Sequence, residues 1–197
     1  MFYKITMINF TGKIPIARCK IENKKTQKSV PATFFEYDCK DLADSIEVRT
    51  QQGLNEFKGF IAGYMKIKTL KINSCRKPDE EYFYGLQTKD GDIVAIAKTS
   101  VKDDSVHIDF IETNHKKYKY AGKNMLALIG KNMLEDKKGK KLVVDYALDE
   151  AVGFYTDGCN FKPKGAHKDK KFVLHKKGVK KLIQNAQSKS KGLFVEV

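Results

Sequence analysis

Three stretches between Glu81 and Thr113, "EYFYGLQT", "DIVAIAKTS" and "SVHIDFIET", alternate apolar and polar side chains and are separated only by "KDGD" and "KDD". A two-residue period is the strand period, and links this short join antiparallel neighbours. The middle of the chain is therefore committed to an antiparallel meander. Upstream, "YKITMINF" and "KIPIARCKIE" alternate around "TGK" and read as two strands, with "PATFFEY" as a third. From Asp41 to about Lys71 the pattern becomes helical: Leu42 and Ile46, then Phe57, Phe60, Ile61 and Tyr64 share faces. Gly53 separates two helices there, and Asp38 or Asp41 can cap the first.

Downstream of the meander, "HKKYKYAGKNML" leads into an apolar stretch in which Leu126, Ile129 and Met133 share one helical face, with Met125 and Leu128 beside them. Gly139 in "KKGKK" punctuates its end. "KLVVDYAL" reads as a buried strand and "EAVGFYTD" as a short helix opened by Asp149 or Glu150 and stopped at Gly158. "KKFVLHKK" is a strand, "GVKKLIQNAQ" a last helix and "LFVEV" a further strand. A length of 197 residues with 41 % hydrophobic content supports one good core. Mean hydropathy of -0.49 and a 31 % charged fraction describe a soluble protein, and no apolar run approaches the ~20 residues a spanning helix needs. Lys4 and Asn9 interrupt the apolar N-terminus where a secretory signal would be continuous, which points to the cytoplasm. Cys19, Cys39, Cys75 and Cys159 form no CxxC pair, so they read as reduced packing residues and no metal site is expected.

The formal net charge is +14, and it is unevenly placed. Between Lys162 and Lys191 stand eleven lysines and a single acid, Asp169, so this stretch carries +10. It is either a solvated face or a docking surface for RNA or an acidic partner. The stretch contains no arginine and no aromatic-rich stacking motif, which argues against specific base readout.

A strand that feeds a glycine-containing loop and then a helix gathers main-chain N–H groups at the positive end of the helix dipole, and that arrangement binds phosphate. Gly122 lets the main chain approach a ligand, and Lys117, Lys119 and Lys123 add charge. Neither GxxxxGK[ST] nor GxGxxG is present. The order of elements and two motifs resemble the GNAT superfamily of acyl-CoA N-acyltransferases. Lys117 to Gly122 is similar to its pyrophosphate loop, [QR]-x-x-G-x-[GA], with Tyr120 in place of the first glycine. "AVGFYTDGCNF", Ala151 to Phe161, resembles its A-x-x-F-Y-x-x-x-G-F segment. Here Tyr155 and Phe161 stand one residue further apart, Asn160 replaces glycine, and Leu148 replaces an asparagine three positions before Ala151.

The resemblance implies an α/β (α+β) fold: a mixed, mostly antiparallel sheet flanked by helices. Residues 30–178 would form the acetyltransferase domain, 1–29 an N-terminal strand extension and 179–197 a basic helix and tail. It further implies acetyl-CoA as cofactor. Ile111, Glu112 and Thr113 would hold the pantetheine arm, and Lys117, Lys119, Tyr120, Ala121, Gly122 and Lys123 the pyrophosphate. Tyr155 would act as general acid. For the base, alternation puts His107, Asp109 and Ile111 on one strand face; His107 is the candidate by residue type, with Asp109 and Glu112 behind it. The acceptor is a primary amine, attacked in a ternary complex, or aminoacyl-tRNA drawn by the lysine surface. A third reading is a GNAT-fold module that binds nucleic acid or an acidic partner without turnover.

Overall fold

The computed structural model describes residues 13–37, 81–135, 139–166, 169–189 and 195–196. The helices expected over 41–71 and the strand expected over 3–10 lie outside the described residues. The first described element is a hairpin of β1 (Lys13–Asn23) and β2 (Ser29–Tyr37), paired from Lys13↔Tyr37 to Glu22↔Ser29. Its turn is built by Asn23, whose Oδ1 accepts the N–H groups of Lys25 and Thr26, and by Gln27 at φ 54°. An asparagine that bonds its own downstream backbone is a turn former for this reason.

The meander follows as β3 (Glu81–Thr88), β4 (Ile93–Lys102) and β5 (Ser105–Thr113), all antiparallel. Gly91 at φ 88° and Asp103 at φ 45° supply the left-handed residues that such tight links require. A two-residue strand, β6 (Tyr118–Lys119), pairs with β1, and helix α1 (Ala121–Glu135) returns the chain to β7 (Lys141–Val144). Then come α2 (Asp149–Gly153), a π-helical turn (Phe154–Gly158), β8 (Lys162–Pro163), β9 (Phe172–His175), α3 (Lys176–Lys189) and β10 (Val195–Glu196). The sheet runs β10-β1-β2-β3-β4-β5-β7-β9-β8, and β5–β7 is its parallel junction. β7 is shorter than the expected "KLVVDYAL", because Tyr146 and Leu148 turn outward and are 65 % and 58 % exposed. α3 begins two residues before Gly178, at Lys176.

One face of the sheet carries the main core. Phe34, Leu86, Ala97, Val106 and Ile108 meet Met125, Leu126, Ile129 and Met133 of α1 and Val179, Leu182 and Ala186 of α3. Each of these side chains larger than alanine contributes roughly 1.5–3 kcal/mol when taken fully out of water. The two helices touch closely at Gly130, where a Cβ would lie 2.6 Å from Val179 Cγ1. The opposite face presents Phe83, Ile96, Lys98, Ser100 and His107.

The expected alternation along β5 needs a correction. Lys98 pairs with Phe110 but Thr99 with Ile108, so Asp109 is the extra residue of a β-bulge. A bulge resets the two-residue period. His107 and Asp109 do share a face, whereas Ile111 crosses to the main core and Phe110 takes its place beside Lys98.

Candidate active site

The glycine loop is held by its side chains before it meets any ligand. Asn114 starts it, its main-chain oxygen accepting the N–H groups of Lys117 and Tyr118 at 3.2 and 3.0 Å. Lys117 Nζ reaches Asp92 Oδ2 at 2.7 Å, and Tyr118 donates its hydroxyl to the same oxygen at 3.0 Å. Lys119 pairs with Glu22 of β1. Lys24 N–H donates to the Lys117 oxygen at 2.8 Å, which fixes the loop to the first hairpin. Two of the three lysines singled out in the loop are therefore neutralised by acids outside it.

Tyr120, where the GNAT pattern has glycine, adopts φ 60°. The backbone needs the left-handed conformation that glycine takes freely, and a tyrosine takes it here with its side chain 40 % exposed. Its oxygen accepts Asn124 N–H at 2.9 Å, the first bond of α1. Ala121, Gly122 and Lys123 are thus first-turn residues, whose N–H groups have no acceptor within the helix. The missing side chain of Gly122 does not face open space: a Cβ there would sit 2.9 Å from Phe154 Cζ and 3.5 Å from Thr113 Cγ2. Gly122 lets Phe154 pack onto the start of α1. Lys123 runs beside the π-turn, its Cε 3.6 Å from where a Cβ on Gly158 would be.

Between β5 and β7 the sheet opens. Their parallel pairing runs only from Ser105↔Lys141 to His107↔Val143, and the strands then part. On the β5 side lie Asp109, Ile111, Glu112 and Thr113. On the other lies an aromatic group centred on Tyr155, 5 % exposed, whose ring stacks on Phe172 at 6.2 Å and meets Phe161 at 5.5 Å and Phe154 at 5.1 Å edge-on. Phe154 bridges the opening by touching Gly122. Burial raises the Tyr155 hydroxyl well above the usual tyrosine range, which keeps it protonated. Burial also pushes the Cys159 thiol up to about 12. The π-turn accounts for the extra residue between Tyr155 and Phe161, since such a turn is one residue wider than an α-turn. It ends with Asn160 at φ 59°, and the Phe161 and Asn160 N–H groups return to the oxygens of Tyr155 and Thr156.

At the other end of the opening lies a group of ionisable residues. Glu81, Ser100, His107 and Val143 form one row across four strands. His107 Nδ1 is 2.6 Å from Asp145 Oδ2. Ser100 Oγ donates to Asp109 Oδ1 at 2.9 Å, and Lys98 Nζ, on a side chain only 7 % exposed, lies 2.6 Å from Glu81 and 4.0 Å from Asp109. Burial raises Asp109 and Glu112 above the ordinary carboxylate range. Asp145, Ser100, Lys98 and Glu81 were not singled out in the sequence. The one available signal was a lone acid, Asp145, after the apolar run "KLVV".

No protein-family model matches the sequence, and no curated protein is significantly similar to it. Solved structures are similar in fold. FdhC, a nucleotide-linked sugar GNAT in its apo form, aligns with a TM-score of 0.56 at 14 % identity, over 86 % of this chain and 97 % of its own. The N-acetyltransferase PseH of Campylobacter jejuni aligns at 0.50 and 13 % identity, over 73 % and 97 %. AtaTR, solved with AcCoA bound, aligns at 0.50 and 14 % identity, over 61 % and 83 %. The chain has the GNAT fold.

Proposed function

We propose that the protein is an N-acetyltransferase that moves an acetyl group from acetyl-CoA to a primary amine in a ternary complex. The observation that carries this reading is the opening between β5 and β7, with the N-terminus of α1 beyond one end and ionisable side chains at the other. The donor set fits the cofactor. Three first-turn N–H groups and Lys123 suit a pyrophosphate, and the edge of β5 past His107, with no described strand beside it, suits the amides of a pantetheine arm. Acetyl-CoA, when bound, supplies the thioester whose carbonyl carbon is the acetyl donor.

Ala121, Gly122 and Lys123 would hold the pyrophosphate, with Lys117, Lys119 and Tyr120 fixing the loop's shape. Ile111, Glu112 and Thr113 would align the arm through their backbone, polarising the carbonyl as fixed dipoles. His107 takes the proton from the attacking amine. Tyr155, held protonated by its surroundings, gives a proton to the leaving sulfur. The test is thiol release from acetyl-CoA across a panel of amines. With an accepted amine, Tyr155→Phe should lower kcat by about 10²-fold with little change in cofactor affinity. Full activity in that variant would reject the acid assignment.

A second reading keeps the chemistry but draws an acidic or nucleic-acid partner to α3. Lys176, Lys177, Lys180 and Lys181 are exposed there, while Val179, Leu182 and Ala186 face the core.

A further inference from the structure

Where β5 and β7 part, a short contact between ionisable groups joins His107 to Asp145, at 2.6 Å. Val143 is the partner of His107 in the last paired row, Val144 points into the main core, and Asp145, two residues after Val143, returns to the His107 face. Among the described residues Lys98, Glu81 and Asp109 share that face beside His107 and each is already engaged, while Glu112, paired with Ile96, and Lys102 and Lys141, both paired with Ser105, lie on it one row or more further along. Lys98 lies between the two carboxylates, and Asp109 accepts from Ser100. His107 has the more enclosed side chain, 13 % exposed against 52 % for Asp145, so the carboxylate closes over one ring nitrogen from the solvent side.

We propose that Asp145 is a positioning residue for His107: it accepts the Nδ1–H, locks the imidazole in that tautomer and leaves Nε2 as the atom that takes the proton from the acceptor amine. The inference rests on the N-acetyltransferase reading and adds to it the residue that makes His107 competent. The physical basis is the donor inventory. A carboxylate only accepts, so a ring nitrogen 2.6 Å from it carries the hydrogen, and in a neutral imidazole the other nitrogen is then a lone-pair acceptor. The same contact ties the end of β7 to β5 where their ladder stops and fixes the orientation of the ring there.

The atoms balance without a further reactant. The amine nitrogen forms a bond to the carbonyl carbon while its proton passes to Nε2, the carbon–sulfur bond breaks, and the sulfur leaves with a proton from Tyr155. The imidazolium formed faces the Asp145 carboxylate, which stabilises it.

Long-range 15N–1H correlation of the labelled protein, with His107→Gln to assign the resonance, reads the tautomer of the neutral ring directly. The expected result is Nδ1–H in the parent and predominantly Nε2–H in Asp145→Ala. With an accepted amine, Asp145→Ala should lose about 10²-fold in kcat at nearly constant KM, and Asp145→Glu should recover part of it. Nε2–H in the parent, or a tautomer that ignores Asp145→Ala, overturns the pair whatever the enzyme does. The expected tautomer together with full activity in Asp145→Ala overturns the catalytic role. The expected tautomer in a protein that acetylates no amine overturns the function beneath it and leaves the pair as structural.

Discussion

At the scale of single residues, Gly122 and Phe154 form a coupled pair. A methyl group on Gly122 would press on the Phe154 ring at 2.9 Å, and overpacking of this kind costs about 1–3 kcal/mol. Urea unfolding of Gly122→Ala should show that loss, and Phe154→Leu in the same chain should return part of it. Gly122→Val should weaken acetyl-CoA binding; if Phe154→Leu restores that affinity as well, the glycine acts by admitting the ring, and simple additivity would contradict the coupling. Asp109 gives a test in pH. Its carboxyl is raised by burial, so between the ordinary carboxylate range and its native value the folded chain binds more protons than the unfolded one. Its contribution to stability is therefore present at low pH and lost as pH rises through that window. Asp109→Asn, which cannot titrate, should gain stability relative to the parent as pH rises from about 4 to about 7 in urea melts; a constant difference would show that the carboxyl is not perturbed.

At the scale of elements, two left-handed residues decide how the site is framed. Tyr120 ends β6 and opens α1, and Asn160 closes the π-turn. Asn160→Gly should be close to neutral, and Asn160→Val should cost about 1–2 kcal/mol in a chemical melt, because a β-branched residue tolerates φ 59° poorly. Equal stability would mean that the turn does not need that conformation. These positions also show where the sequence was readable. The meander is legible because its period is local, and β3 and β5 coincide with "EYFYGLQT" and "SVHIDFIET". The helix over Ala121–Glu135 was legible for the same reason. The bulge at Asp109 was not, since one inserted residue leaves the composition of a strand unchanged while it turns Ile111 over. The π-turn was visible only as a spacing one residue too long. The partners of Lys117 and Lys119 lie 25 and 97 residues away, and Asp145 is 38 residues from His107, separations that no local pattern encodes.

At the scale of the whole molecule, the exposed lysines of α3 stand on a different element from the residues proposed to hold the cofactor. Among the described residues no helix is long and apolar enough to cross a membrane. Changing Lys176, Lys177, Lys180 and Lys181 together to Gln removes the exposed stripe of α3 without touching its buried side. Binding to a nucleic-acid duplex should then weaken and its salt slope become shallower by up to about 0.9 for each phosphate no longer neutralised, while acetyl-CoA affinity stays within about twofold. An equal loss of acetyl-CoA affinity would place the cofactor on α3 and not at the start of α1. On the proposed function, the start of α1 and the opened edge of β5 form a site for an acyl-CoA thioester. Its most direct test is a calorimetric titration of the full chain with acetyl-CoA at low and at physiological salt. One-to-one binding at micromolar affinity that weakens only modestly with salt is expected, because Lys117 and Lys119 are already paired and the proposed phosphate contacts are main-chain N–H groups. No heat of binding at either salt would contradict it.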